Sequence, residues 1–352
     1  MKYKIVLVAL GIFTCSIVLG QKSPIALEEF IYEKAPFKSC HASTIEETRS
    51  GLISAWFGGT HEKHQDVEIW ISRKTTGKWS PPESVANGIV GIKRYPCWNP
   101  VLYYHNDNVL YLFYKVGPSP SKWWGVVKKS YDDGKTWSES ENLPEGILGP
   151  IKNKPELLKN DVLLCPSSTE HDGWKVQMER FFINKNIWEE KPAYVDHASS
   201  FNAIQPSILF HKDGSLQILC RSKEGWIVSS KSIDQGNTWT ELQALNLPNP
   251  NSGIDAVTMK NGKHLLVYNH TGTPEGKWGG NRYPLNVALS DDGINWKAGL
   301  VLEKQEGEYS YPAVVQSKDG KVHIVYTWKR LKIKHVVLIP AELPEHNIST
   351  WE

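Results

Sequence analysis

Six copies of a short pattern recur along this chain, and this repeat constrains the fold more than any other feature. Each copy starts with a polar residue, which is followed by proline in four copies and by alanine in two, and successive copies lie 50 to 58 residues apart. A period of this kind is typical of solenoids, propellers and arrays built from one supersecondary unit. We call the six polar residues the ring positions; they are His41, Asn99, Lys154, Gln205, Asp255 and Tyr311.

The residues after each ring position predict strands. An apolar segment, a turn containing Gly, Asn or Asp and a second apolar segment follow in every copy, and alternating β-branched and aromatic residues favour strands over helices. The last copy supplies only three strands, whereas an extra apolar segment at about residues 25–32 precedes the first copy. We therefore predict an all-β fold, a six-bladed β-propeller of four-stranded blades, in which the N-terminal strand closes the last blade and protects its edge.

A turn motif supports this architecture. Residues 130–137 and 232–239 read Ser-x-Asp-x-Gly-x-Thr-Trp, the pattern called an Asp-box, and residues 289–296 form a degenerate copy with Asp291 at the aspartate position. The aspartate can accept hydrogen bonds from backbone N–H groups of the turn, glycine supplies a positive φ, and tryptophan packs between neighbouring sheets. The motif indicates architecture rather than chemistry, and it accounts for several of the 15 tryptophans.

The first 20 residues are typical of a secretory signal peptide, because Lys2 and Lys4 precede an apolar stretch. We expect an exported, periplasmic protein whose residues 21–352 form a single domain. Lipid attachment at Cys15 is the alternative, but Thr14 stands where a smaller residue is preferred. No later apolar run is long enough to span a bilayer. The protein is expected to be a monomer.

The charge balance and the cysteines narrow the partners further. Without residues 1–20 the chain has 38 basic and 38 acidic residues, which argues against nucleic acid as a partner. No cofactor and no metal are expected, because the histidines are dispersed along the chain. The remaining cysteines are expected to be buried thiols, with a disulfide between the first two as the alternative; they are Cys40, Cys97, Cys165 and Cys220.

The ring positions are expected to converge at one mouth of the central channel, because the first strand of every blade lines that channel. Ligand sites of propellers lie where such strands and their loops meet. The ends of the second strands bring further polar residues to the same mouth; they are Lys115, Glu170, His171, Arg221, Asn269, His270 and residues 328–330.

At this point the sequence resembles the sialidase superfamily, whose members combine Asp-boxes with a six-bladed propeller, over essentially the whole chain after residue 20. Leu219-Cys-Arg221-Ser resembles the segment that carries the second of three carboxylate-binding arginines, and Gly280-Asn-Arg282-Tyr resembles the segment of the third. Tyr309-Ser-Tyr311-Pro resembles the segment of the nucleophilic tyrosine. The resemblance implies that Arg221 and Arg282 bind a substrate carboxylate.

Two departures from the superfamily pattern favour a different reaction. The segment of the first arginine is here residues 37–42, with His41 and no arginine, and the glutamate that activates the tyrosine appears as Gln205. A neutral amide cannot act as a general base. The loop at residues 59–66 offers acidic residues, but none of them can be assigned the role of the acid/base.

We therefore expect a β-elimination on a uronic acid, in which a bound carboxylate makes the C5 proton more acidic. The candidates for proton transfer are Tyr311, Lys154, His41, His171 and His270. The candidates for binding an acidic oligosaccharide are Arg221, Arg282, Asn99, Gln205, Asp255, Arg94 and Lys115. Loss of a sugar from C4 would make the protein a polysaccharide lyase, and loss of water would make it a dehydratase.

Several segments, including residues 94–100, 115–125 and 166–174, are similar to a sialidase-like branch that includes an ulvan oligosaccharide dehydratase. This resemblance implies loss of water at a non-reducing-end uronate, which leaves a 4,5-unsaturated uronyl residue. Two alternatives remain open. One is a sialidase-type exo-glycosidase in which Glu170 or Asp255 activates Tyr311, and the other is a sugar-binding propeller without catalytic activity.

Overall fold

The computed structural model describes residues 23–196 and 198–351, so the expected signal peptide lies outside the described residues. The strands form six antiparallel sheets, each with four strands in meander order from the channel outwards. From the inner to the outer strand, blade 1 contains Ser39–Thr48, Gly51–Gly59, Glu68–Lys74 and Glu83–Ala86; blade 2 contains Cys97–Tyr104, Leu110–Val116, Trp124–Ser130 and Glu141–Asn142; blade 3 contains Glu156–Leu157, Val162–Thr169, Lys175–Phe182 and Ile187–Trp188. Blade 4 contains Ala203–Phe210, Leu216–Ser222, Trp226–Ser232 and Gln243–Pro248; blade 5 contains Asp255–Thr258, His264–Tyr268, Leu285–Ser290 and Trp296–Glu303; blade 6 contains Tyr309–Gln316, Val322–Trp328, Lys332–Leu338 and Ile25–Phe30.

The remaining elements are short. Ala193–Val195 adds to blade 3, His346–Asn347 adds to blade 5, and Ile89–Val90 pairs with Lys93–Arg94 in a hairpin between blades 1 and 2. The helices of the described residues are four short 3-10 segments: Lys159–Asp161, Ile183–Lys185, Pro340–Glu342 and Ile348–Trp351. Within residues 23–196 and 198–351, no helix has the length and apolarity needed to cross a membrane.

The N-terminal strand closes the ring, as the sequence predicts. Ile25–Phe30 pairs antiparallel with Lys332–Leu338 and becomes the outer strand of blade 6. Glu29 on this strand accepts a hydrogen bond from the indole of Trp79 (2.9 Å), which belongs to the neighbouring blade 1. The predicted six-bladed propeller is confirmed.

The core consists of apolar clusters between neighbouring blades. In one of them Ile53 and Ile71 of blade 1 pack with Leu112 of blade 2, and comparable clusters follow at each blade boundary. The cluster that closes the ring joins Trp56 of blade 1 to Val325 of blade 6. Burial of apolar area between every pair of blades stabilises the closed ring, because no blade can bury both of its faces alone.

The Asp-box turns have the expected geometry, with one correction. Asp132 accepts hydrogen bonds from the backbone N–H groups of Lys135 (3.1 Å) and Thr136 (2.8 Å), and Gly134 has a φ of 84°. In the degenerate third copy the aspartate that does this is Asp292 rather than Asp291, and Ser290 supplies the serine. The third turn is therefore one residue shorter than the two full Asp-boxes.

The cysteines are buried thiols. All four cysteines of the described residues are free, so the alternative disulfide between Cys40 and Cys97 is not formed. The thiol of Cys40 accepts a hydrogen bond from the hydroxyl of Tyr32 (3.0 Å). Burial raises the pKa of Cys40 to about 12, which keeps it in the neutral thiol form.

Candidate active site

A β-bulge at the start of the inner strand aims one side chain into the channel mouth in several blades. In blades 2, 4 and 6 the bulge contains Asn99, Gln205 and Tyr311, whose φ values are 35°, 59° and 52°. A bulge redirects the side chain at that position, and a positive φ is uncommon for residues other than glycine. Three ring positions are therefore equivalent in structure as well as in sequence.

The other three ring positions are shifted. Blade 1 has the same bulge, but its residue with positive φ is Ala42 (54°), so His41 stands one position earlier. The inner strands of blades 3 and 5 pair with their second strands without a register shift. Lys154 and Asp255 are therefore not equivalents of the bulge residues, and the assumption of six equivalent slots is wrong for these three blades.

Lys154 and Asp255 form a buried ion pair with each other. The Nζ atom of Lys154 lies 3.2 Å from both carboxylate oxygens of Asp255, which is 1% exposed. Asp255 also accepts hydrogen bonds from the hydroxyl of Ser207 (2.5 Å) and from the backbone N–H of Val314 (2.8 Å). These contacts join four blades, so the geometry gives the pair a stabilising role instead of the catalytic role expected for Lys154 and the substrate-binding role expected for Asp255.

Two partly buried carboxyl groups, Glu46 and Glu156, lie near Lys154. Burial raises the pKa of each to about 7, although the charge of Lys154 acts in the opposite direction. Both residues belong to inner strands and follow the channel-mouth positions in the chain. They extend the polar lining of the channel beyond the mouth.

The paired arginines are the centre of the site. The guanidinium groups of Arg221 and Arg282 both donate to the backbone oxygen of Asn251, at 3.1 Å and 2.8 Å. Burial lowers the pKa of Arg282 to about 10, and the neighbouring charge of Arg221 acts in the same direction. Two like charges held together in a buried place favour an anion between them, and guanidinium groups match the geometry of a carboxylate.

A third guanidinium, Arg330, lies at the same mouth, where the sequence placed residues 328–330 without assigning a role to Arg330. Its Nε atom donates to Glu308 (2.7 Å) and its Nη1 atom to Glu62 (2.5 Å). Arg330, like Arg282 and Arg221, acts electrostatically on His41. Blade 6 thus supplies a third arginine at the mouth, whereas blade 1 has His41 there. Glu62, from the loop of blade 1, is held in an ion pair with Arg330.

Tyr311 presents its hydroxyl to hydrogen-bond donors. The phenol oxygen accepts from Arg221 Nη2 at 3.1 Å and from the amide nitrogen of Gln205 at 3.4 Å. The amide oxygen of Gln205 is buried and has no hydrogen-bond partner among the described residues. Within residues 23–196 and 198–351, no carboxylate forms a hydrogen bond to Tyr311. Hydrogen bonds from a cation and an amide stabilise negative charge on the phenol oxygen.

Two buried basic residues support the ring of Tyr311. The imidazole of His41 packs at 4.2 Å between ring centroids, and its Nδ1 atom lies 3.0 Å from the hydroxyl of Thr327. Burial lowers the pKa of His41 well below its ordinary value, so it is neutral near pH 7. Lys152, which sequence reasoning missed, lies 5.8 Å from the centroid of the Tyr311 ring, and burial lowers its pKa to about 7. The carbonyl oxygens of Ile254 and Pro312 accept from its Nζ atom.

The guanidinium of Arg221 packs against both the Trp174 ring (5.0 Å) and the Tyr311 ring (5.5 Å), and its charge also acts on Glu170. The indole N–H of Trp174 donates to Glu170 at 2.9 Å. Burial raises the pKa of Glu170, and the charges of Arg221 and Lys223 only partly oppose this. Glu170 therefore keeps its proton to a higher pH than an exposed glutamate does.

The remaining candidates are scattered. Asn99 is buried at the mouth, and His171 is exposed on the rim, where it lines a depression with Trp123 and Trp124. His270 is held inside blade 5 by the hydroxyl of Tyr268 (2.5 Å) and packs near Trp351, 5.3 Å between centroids. The structure thus brings His41 to Tyr311, whereas it places His270 within a blade.

Two residues expected to bind substrate occupy other places. Lys115 has no exposed surface. Its Nζ atom donates to the backbone oxygen of Pro150 at 2.7 Å and lies near the buried Glu179. A side chain without exposed surface cannot contact an oligosaccharide, so the expectation for Lys115 is corrected. Arg94 is exposed on the hairpin between blades 1 and 2 and forms an ion pair with Glu68 (2.6 Å).

Taken together, the closed propeller and the paired arginines define a protein of the sialidase superfamily. Residues 50–324 match the model of the BNR repeat-like domain, and the chain belongs to that family. The chain is 23% identical over 239 residues to a sialidase of Bacteroides fragilis, a match that covers 60% of the chain and 42% of that protein. It is 24% identical over 246 residues to the anhydrosialidase of Macrobdella decora, covering 58% of the chain and 30% of that protein.

The match in structure extends further along the chain than the match in sequence. The intramolecular trans-sialidase from Ruminococcus gnavus superposes with a TM-score of 0.71 at 14% identity, covering 92% of this chain and 99% of that one. The chain spans less than half of the length of the two curated relatives. At these identities the comparison of structures establishes the shared fold.

Proposed function

We propose that this protein is an exported lyase that acts on uronic-acid-containing anionic oligosaccharides of the ulvan type. It removes water from the non-reducing-end uronate and leaves a 4,5-unsaturated uronyl residue. The observation that carries this proposal is the environment of Tyr311, whose hydroxyl is bound by a guanidinium and an amide, next to two arginines without a carboxylate partner in the described residues. Export rests on residues 1–20 and predicts a mature protein in the periplasm that starts near residue 21.

The first step is binding of the uronate carboxylate between Arg221 and Arg282. In the structure the two guanidinium groups share a single neutral acceptor, the carbonyl oxygen of Asn251. A carboxylate in this place accepts charge-assisted hydrogen bonds from both groups. Neutralising the carboxylate in this way makes the adjacent C5 proton more acidic, because the negative charge that develops when the proton leaves is stabilised.

The second step is transfer of the C5 proton to the oxygen of Tyr311 in its phenolate form. Arg221 and Gln205 both donate to this oxygen, which is the arrangement that a proton-accepting phenolate requires. The electrons of the C5–H bond form the C4=C5 double bond, and the C4–O bond breaks. In a sialidase-like arrangement with a glutamate at position 205, a negative charge would stand beside the phenolate; the amide of Gln205 removes that repulsion.

The third step is protonation of the leaving C4 hydroxyl, for which Glu170 is suited. Its carboxyl group accepts from the indole of Trp174, which packs against Arg221, and burial raises its pKa. Transfer of this proton makes water the leaving group. The enzyme ends with a neutral Tyr311 and an ionised Glu170, and exchange with solvent restores the starting state.

The test is incubation with oligosaccharides that end in an unsubstituted uronate. Ultraviolet absorbance of the conjugated double bond should rise, and the mass of the oligosaccharide should fall by one water. A shorter oligosaccharide and a released sugar would show lyase cleavage instead. No rise in absorbance with any uronate oligosaccharide would refute the elimination.

A sialidase-type exo-glycosidase is the alternative that the names of the curated relatives favour. It requires another base for Tyr311, but Asp255 is engaged in the interblade network and Glu170 is hydrogen-bonded to the indole of Trp174. Release of the reporter from a sialoside would support this alternative. Binding of the oligosaccharide without any turnover would support the sugar-binding propeller.

A further inference from the structure

An exposed tryptophan lies beside the paired arginines. Trp278 is 64% exposed, and its ring stands perpendicular to the buried ring of Trp174, 6.1 Å between centroids. Trp174 in turn packs against the guanidinium of Arg221. A large aromatic face left in water next to a polar cleft is suited to stack on the apolar face of a sugar ring.

The position of Trp278 is coupled to the arginines through one residue. The side-chain amide of Asn251 donates to the backbone oxygen of Trp278 at 2.8 Å. The backbone oxygen of the same Asn251 is the acceptor that Arg221 and Arg282 share. A ligand stacked on Trp278 would therefore lie next to a carboxylate bound by the two arginines, because Asn251 contacts both places.

A lysine, Lys223, also packs against Trp174 and has no ion-pair partner among the described residues. The Nζ atom of Lys223 lies 4.6 Å from the centroid of the Trp174 ring. Within the described part of the chain this ammonium group forms no ion pair and donates no hydrogen bond, and burial raises the pKa of Glu170, the carboxyl group that interacts with it electrostatically. The ammonium of Lys223 is thus available to an external anion.

We propose that Trp278, Trp174 and Lys223 form a second subsite, which binds the sugar next to the terminal uronate and recognises an anionic substituent on that sugar. This inference rests on the proposed function, because it places the terminal uronate at Arg221 and Arg282. Trp278 stacks on the second sugar, and Lys223 pairs with its sulfate or carboxylate group. Trp174 packs against both Arg221 and Lys223 and so connects the two subsites.

The experiment is calorimetric titration of the Tyr311→Phe protein, in which turnover should be slow, with three ligands. They are free glucuronate, a glucuronyl disaccharide sulfated on its second sugar and the same disaccharide without sulfate. We expect the sulfated disaccharide to bind about fivefold more tightly than the other disaccharide. Lys223→Gln should abolish that preference, Lys223→Arg should keep it, and Lys135→Gln, on an outer Asp-box turn, should not change it.

Trp278→Ala tests the stacking. It should weaken both disaccharides about fivefold and leave the affinity for glucuronate unchanged, while Trp278→Phe should recover most of the loss. A preference for sulfate that persists in Lys223→Gln would overturn the inference, and so would an equal loss for glucuronate in Trp278→Ala. If these affinities change as expected but wild-type protein never produces an unsaturated uronate, the proposed elimination fails and the subsite stands.

Discussion

Replacement of Tyr311 by phenylalanine separates its role as a base from its role in packing. The change removes one oxygen atom and leaves the ring contacts with His41 and Lys152 in place. Two donors, Arg221 Nη2 and the amide of Gln205, lose their acceptor. Arg221 keeps its hydrogen bond to Asn251, and the site is open enough for water to replace the hydroxyl.

The structure therefore predicts a small effect on stability and a large effect on rate. Loss of the shared acceptor should cost about 1 kcal/mol of the free energy of unfolding. Loss of a positioned general base should lower kcat by about 10²- to 10⁴-fold, equivalent to roughly 3–5 kcal/mol in the activation free energy. The effect on the rate should exceed the effect on stability several times over.

The assay is the initial rate of ultraviolet absorbance at saturating uronate oligosaccharide, measured together with the Tm of each variant. Tyr131→Phe is the matched control, because Tyr131 is 69% exposed on an Asp-box turn. A kcat for Tyr311→Phe within about threefold of wild type, at unchanged Tm, would refute the assignment, since the expected loss for a base is at least 10²-fold. The base would then have to be sought in His41 or Lys152, which lie against the same ring.

Three further variants test the other parts of the site. Gln205→Glu places a negative charge about 3.4 Å from the phenol oxygen and should lower the elimination rate at least tenfold, because it opposes the phenolate; an unchanged rate would contradict the role of the amide, and new sialoside cleavage would favour the exo-glycosidase. Glu170→Gln should remove the alkaline limb of the pH profile of kcat: burial raises the pKa of Glu170, so the proton required for the leaving group is lost as pH rises through that raised value. Retention of that limb in the variant would exclude Glu170 as the acid. Lys154→Met should lower the free energy of unfolding by about 3 kcal/mol in chemical denaturation, because it leaves the carboxylate of Asp255 buried without its cation; loss of kcat at unchanged stability would instead restore the catalytic role that the sequence suggested for Lys154.

The architecture could be predicted from the sequence because it depends on patterns that repeat. Strand periodicity, the Asp-box turns at residues 130–137 and 232–239, and a spare apolar segment near Ile25 together determine six blades and the way in which they close. Each of these signals is local, and the apolar packing between blades follows from them.

The site could be predicted only in part, because it depends on backbone bulges that the residue types do not reveal. Asn99, Gln205 and Tyr311 share a positive φ, yet in sequence their ring slot cannot be distinguished from Lys154 before Pro155. The pairing of Lys154 with Asp255 is a contact across more than 100 residues, which no local pattern encodes. Arg330 was assigned no role from the sequence for the same reason, since its partners Glu62 and Glu308 come from separate parts of the chain.

The distribution of charge explains why a neutral residue at position 205 matters. Arg330 is compensated by Glu62 and Glu308, whereas Arg221 and Arg282 form no ion pair in the described residues. A glutamate at position 205 would compensate part of this excess positive charge and would compete with the substrate for it. With Gln205 the excess remains for the two anions that an elimination needs, the uronate carboxylate and the phenolate of Tyr311. Under the proposed elimination, the exchange to glutamine thus does more than remove a base, because it leaves the positive charge of the two arginines to the substrate carboxylate and to Tyr311.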